Sequence, residues 1–84
     1  MPDHTQLIRS VLVDHGRLAV DVATLSDSAS LYEAGLTSHA SVNVMLALED
    51  EFDVEFPERF LKRTTFESIE NLSVALADLV HVDA

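Results

Sequence analysis

The 84-residue chain has no cysteine. This rules out a disulfide framework, a thiolate nucleophile and a cysteine metal ligand. Bases are also scarce. Five Lys and Arg stand against fifteen Asp and Glu, a formal net charge of −10. Nucleic acids and anionic membranes are bound chiefly through Lys and Arg, so neither is expected as a partner. No apolar run approaches the roughly 20 residues that span a bilayer. Met1-Pro2-Asp3-His4 lacks the basic region and apolar stretch of a signal peptide, and a cytoplasmic protein is expected. Internal repeats and low-complexity segments are lacking too.

What is present suits one small domain covering residues 1–84. The hydrophobic fraction of 48% is enough for a core. A chain of this size buries only about 60% of its unfolded surface, too little to enclose a deep enzyme cleft as well. The acids are clustered: between Glu49 and Glu58 there are six and no base. Such a surface attracts basic proteins and speeds encounter with them. It does not read as a calcium loop. An EF-hand needs a central glycine, and this run has none and is broken by Val54, Phe56 and Pro57. No metal site is expected.

Leu7, Ile8, Val11 and Leu12 recur at helical spacing and predict a first helix over roughly 4–15, capped by Asp3 or Thr5 and ended at Gly16. Residues 17–37 read as a long connection. Leu18, Val20, Val22 and Leu25 alternate but have no evident partner strand, so an extended loop packed on the core is expected. Ser26-Asp27-Ser28 forms a turn or cap, and Leu31 and Tyr32 pin the loop. Loops of this length in compact domains are often functional. A second helix runs from about Ser38 to Phe52. At 100° per residue, Val44, Met45, Leu48 and Phe52 share one arc, the core stripe. Ser38, Val42, Leu46 and Glu49 share an adjoining arc, with His39 and Asp50 at its edge. That mixture of aliphatic and acidic side chains suits a partner-binding surface better than a solvated or a buried one.

Pro57 opens a short helix at about 58–62. Thr64-Thr65-Phe66-Glu67 contains a capping box, and Ile69, Leu72, Leu76 and Leu79 carry a fourth helix to about Val80, with 81–84 fraying. The expected fold is all-α: a small antiparallel four-helix bundle, three helices longer and one short, with a long loop between the first two.

Ser38 follows the turn glycine Gly35 at the mouth of the second helix. Position alone leaves two readings open. Ser38 or Thr37 is an N-cap, the commonest role of such residues there. Alternatively, Ser38 presents an exposed hydroxyl where free N–H groups and the helix dipole favour an attached phosphodiester. His39 does not make Ser38 a catalytic nucleophile. Adjacent helical residues point about 100° apart, and no third member or oxyanion pocket is evident. His4, His15 and His81 read as surface residues.

Gly35-Leu36-Thr37-Ser38, Val42, Ala47-Leu48-Glu49-Asp50-Glu51-Phe52, Phe56-Pro57 and Thr64-Thr65 stand in one register between residues 35 and 65. This pattern resembles the acyl carrier protein family. The resemblance implies a carrier and not an enzyme, with no catalytic residues. Ser38 would hold a covalent 4'-phosphopantetheine arm carrying an acyl or aminoacyl group as a thioester. The arm's thiol would be the only one in the protein. The implied partners are a phosphopantetheinyl transferase, an acyl- or aminoacyl-adenylating ligase and downstream acyl-transfer enzymes, acting on a monomer. Their docking surface would be Thr37, His39, Val42, Leu46, Glu49, Asp50, Asp53 and Glu55. Thr37 stands where the family usually has aspartate, His39 where it has leucine, and Asn43 where glutamate is common. These departures imply a specialised acyl or aminoacyl carrier instead of the fatty-acid synthase one. The alternative from a different class is an acidic helical adaptor domain that binds a basic protein and bears no prosthetic group.

Overall fold

The computed structural model describes residues 4–82, and the side chains of 4–80. Helix α1 spans His4–Val11 and buries Ile8 and Val11. It runs on through a π-helical turn, Leu12–Gly16. The helical stretch thus reaches Gly16, close to the expected end. The left-handed residue that stops it is Arg17 (φ 51°), one position beyond the glycine. Gly16 itself is buried inside the last turn. A β-carbon there would meet Leu12 Cδ2 at 3.2 Å, so the glycine serves close packing. The expected cap at Asp3 lies outside the described residues.

The connection to the second helix contains a 3-10 turn, Val22–Thr24, that puts Val22 in the core. Asp21 Oδ1 accepts from Ala23 N at 3.0 Å and starts this turn. Arg9 holds the same stretch from α1. Its guanidinium donates to the carbonyls of Val22 and Leu25, both at 2.8 Å, and to Asp27 Oδ1 at 2.7 Å. Leu31 is fully buried, and its N–H donates to the Glu67 carbonyl at 2.7 Å. The long loop is therefore pinned at both halves.

Helix α2 spans Ser38–Phe52, the bounds that periodicity predicts. Asp53 adopts a left-handed conformation (φ 54°) and ends it, with Val54 N donating to the Glu49 carbonyl at 3.1 Å. Val44 and Leu48 of the predicted stripe are fully buried, while Met45 and Phe52 pack at the core's edge. Beyond α2 the short helix expected at 58–62 is a 3-10 turn, Glu58–Phe60, and a second 3-10 turn, Arg63–Phe66, follows it. Bonds of the i→i+3 type, Phe60 N to Pro57 O at 2.9 Å and Leu61 N to Glu58 O at 3.0 Å, close the first. So short a segment gains little from α-helical propagation, and it tightens instead.

The predicted capping box does not form. Glu67 N donates to the Thr64 carbonyl, at 3.3 Å, and not to its hydroxyl. The second 3-10 turn instead buries Thr65 and Phe66, with the Phe66 ring stacked on Phe56 at 5.7 Å between centroids. Helix α3 starts later, at Ile69, and runs to Val82. Ser68 Oγ caps it by accepting from Asn71 N at 3.0 Å, and the Asp27 carbonyl of the long loop accepts from Glu70 N at 2.9 Å. Residues 81 and 82 are helical. The rest of the expected frayed tail, with the His81 side chain, lies outside what the structure describes.

The fold is all-α, with no strand among the described residues. Helix α1 packs on α3 and, with its π-helical turn, on α2. Ile8, Leu12, Leu31, Val44, Leu48, Ile69, Leu72 and Leu76 form the fully buried centre. Among the described residues no helix is long and apolar enough to cross a membrane.

Candidate functional site

The approach to α2 is rigid. Gly35 takes φ 112°, and a β-carbon there would lie 2.9 Å from Ala19 N. Only glycine meets both demands without strain. Ala19 N donates to Ala34 O and Leu36 N to Leu31 O, each at 2.9 Å, and Leu36 is buried. Thr37 then sits in extended backbone, and its Oγ1 accepts from Ala40 N at 3.0 Å. Thr37 is the N-cap. Ser38 is the first helical residue and is exposed. Its carbonyl accepts from Ser41 Oγ at 2.7 Å, whereas its own hydroxyl makes no hydrogen bond among the described residues. The structure thus puts the cap on Thr37 and leaves the Ser38 hydroxyl exposed.

Ser38 opens into a groove of about 410 Å³. Val42, Met45 and Phe66 give it apolar walls, and Tyr32, Lys62 and Arg63 form a polar side. Tyr32 is held twice. Its hydroxyl donates to the Arg63 carbonyl at 3.2 Å, and the Arg63 guanidinium lies 3.8 Å from the centre of its ring. Burial pushes the Tyr32 phenol above its ordinary value. The nearby Arg63 charge works against this, and Glu67 adds to it. Sequence reading named Tyr32 only as a loop anchor and missed Lys62 and Arg63. Their signal was there: they are the only adjacent pair of bases in a strongly acidic chain.

The remaining site residues from the sequence spread over the α2 surface. A row of i, i+4 residues turns by about 40° per step, so Ser38, Val42, Leu46 and Asp50 wind gradually round the helix. Val42 borders the Ser38 groove, whereas Leu46 and Asp50 border a second hollow with His15 and Asn43. Val42 and Leu46 are 50% and 53% exposed, high for aliphatic side chains. His39, Asp50, Asp53 and Glu55 are exposed. Glu49 is different. It is half-buried, and its Oε2 accepts from Phe56 N at 2.8 Å, tying the acidic loop to α2.

Comparison with known proteins agrees with this geometry. The family model described as the phosphopantetheine attachment site matches residues 15–79. The chain is 49% identical to an aminoacyl carrier protein of Agrobacterium fabrum over 63 residues, covering 75% of this chain and 76% of that one. Its fold superposes with a TM-score of 0.88 on the carrier protein from Agrobacterium tumefaciens crystallised with an engineered Bradyrhizobium japonicum glycine:carrier-protein ligase and ATP. That pair is 40% identical, and the match covers 92% of this chain and 100% of the other. The holo acyl carrier protein of Nitrosomonas europaea gives a TM-score of 0.81 at 28% identity, over 99% of this chain and 100% of that one.

The prosthetic group of this family is covalent 4'-phosphopantetheine. The residues present fit it: an exposed hydroxyl free of capping duty, at a helix start, opening on a groove with two cations. A match over most of the chain, to the family model and to a curated relative alike, places this protein among the phosphopantetheine-bearing carrier proteins, which are not enzymes themselves.

Proposed function

We propose that Ser38 bears the phosphopantetheine arm and that the arm carries an aminoacyl group, glycine being the first candidate. The observation that carries the attachment point is the division of labour at the start of α2. Thr37 caps the helix, so the Ser38 hydroxyl is exposed and uncommitted. When bound, the arm supplies the thiol for a thioester, which a chain without cysteine cannot supply itself. The likeness to an aminoacyl carrier protein, and to a carrier crystallised with a glycine:carrier-protein ligase, supports the cargo class. Family membership removes the reading as an adaptor without a prosthetic group.

In this reading the partners are a phosphopantetheinyl transferase, an aminoacyl-adenylating ligase and downstream acyl-transfer enzymes. Val42 and Leu46 offer exposed apolar anchors, and Asp50, Asp53 and Glu55 supply charge around them. Thr37 and His39 flank the attachment point. Glu49 contributes through the oxygen that the Phe56 amide does not use.

Loading tests the proposal. The chain is first incubated with coenzyme A and a broad-specificity transferase. It is then incubated with ATP, glycine and a glycine:carrier-protein ligase, and read by intact mass. The expected result is one arm followed by one glycyl group that hydroxylamine releases. Arm attachment without glycyl transfer would overturn the cargo, and no attachment would overturn the proposal as a whole.

A further inference from the structure

Lys62 is the only lysine of the chain. It lies on the groove into which Ser38 opens, next to Arg63. Among the described residues no acid lines that groove. The two ion pairs among the described residues join Arg9 to Asp27 and Arg59 to Asp78, and Lys62 is in neither. In a strongly acidic molecule, the hollow beside this uncommitted hydroxyl is thus lined by two cations. Its two cations differ in freedom. Arg63 is stacked on Tyr32 and its carbonyl is held by the Tyr32 hydroxyl, so its charge is fixed in place. Lys62 is exposed and has no ion-pair partner among the described residues, a compact charge on a flexible stem.

We infer that Lys62 is a positioning residue, the counter-ion of the phosphodiester that the Ser38 reading brings to this groove. By holding the phosphate, it lays the arm along Val42, Met45 and Phe66 instead of leaving it free in solvent. The inference rests on the Ser38 reading. An exposed charge pair in water is weak, so Lys62 orients the arm and does not bind it tightly. Salt erases the effect, because the screening length falls from about 10 Å at 0.1 M to about 3 Å at 1 M. The side chain is exposed and its backbone is extended (φ −141°), so substitution leaves the fold intact.

The test compares the arm-free and arm-bearing forms of wild type, Lys62→Gln and Lys62→Arg by NMR, after intact mass has established attachment in each. In wild type at low salt, attachment is expected to shift the amides of Lys62, Arg63 and Phe66 and the Met45 methyl. Contacts from the arm to the Phe66 ring are also expected. In Lys62→Gln the shifts at Met45 and Phe66 and the ring contacts are lost, and the phosphorus resonance moves. Lys62→Arg keeps all of them, and wild type at 1 M salt behaves like Lys62→Gln. Attachment that leaves the groove resonances unmoved in wild type, or moves them equally in Lys62→Gln, overturns this inference alone. A wild-type chain that gains no mass overturns the Ser38 reading and this inference with it.

Discussion

Thr37 and Ser38 divide two tasks that a carrier must keep apart. One oxygen closes the helix and the other stays available. The division predicts opposite behaviour on truncation. Thr37→Ala removes the Oγ1 that accepts from Ala40 N, and is expected to cost about 1 kcal/mol of stability, measured by thermal or urea melts. Ser38→Ala removes no hydrogen bond of the helix, and is expected to melt within about 0.5 kcal/mol of wild type. Glu49 carries a similar lesson. On the sequence it is one more acid of the docking arc, but its carboxylate holds the Phe56 amide. Glu49→Ala should therefore destabilise by about 1–2 kcal/mol, whereas Asp50→Lys should leave the melt nearly unchanged and slow only association with the ligase, an effect that high salt removes. Melts set beside loading kinetics separate the two. Sequence spacing does not reveal the Glu49 contact. A carboxylate's partner seven residues away depends on how the loop after Asp53 folds back, and no periodicity encodes that.

At the scale of the elements, the long helices and the place of the short one were legible, but the start of α3 and the 3-10 form of the turns before it were not. Helix α2 has a glycine turn and a capping threonine ahead of it and an acidic stretch at its end, and its observed bounds are the predicted ones. The apolar spacing Ile69, Leu72, Leu76, Leu79 likewise marks the buried side of α3. Between them, tertiary contacts decide. The Thr64–Glu67 box has the right residues at the right spacing, yet burying Phe66 against Phe56 demands a tight turn there, and Ser68 takes over the cap. The 17–37 connection is read correctly as a loop, but nothing in its alternation foretells that Arg9 will staple it through three oxygens. The two sides of α2 should respond differently to truncation. Leu48→Ala, fully buried, is expected to cost about 2–5 kcal/mol. Leu46→Ala, half exposed, should leave stability within about 0.5 kcal/mol and weaken loading by the ligase. Urea melts of both variants, alongside loading rates, check the assignment.

Across the whole molecule, charge of one sign prevails. Ten net negative charges sit on a body with a radius of gyration of 11.7 Å, so most of them lie within one screening length of each other at low salt. The melting temperature is therefore expected to rise as salt goes from about 0.01 M to 0.1 M, where the screening length drops from about 30 Å to about 10 Å. A flat or falling melting temperature over that range would show that self-repulsion does not limit stability. The acidic excess was visible in the composition. The adjacent bases Lys62 and Arg63 were visible too, but not their place, because only the fold brings them beside Ser38.

Which atom bears the arm decides the carrier reading, and site-resolved mass spectrometry addresses it directly. After treatment with coenzyme A and a transferase, trypsin releases one peptide from Leu18 to Arg59, since no Lys or Arg lies between Arg17 and Arg59. That peptide holds Thr37, Ser38 and Ser41 together, and fragmentation distinguishes them. The expected result is a single phosphopantetheine on Ser38, with none on Ser38→Ala and an unchanged yield on Thr37→Ser, which keeps the cap. An arm on Thr37 or Ser41, or an arm that persists in Ser38→Ala, would contradict the assignment.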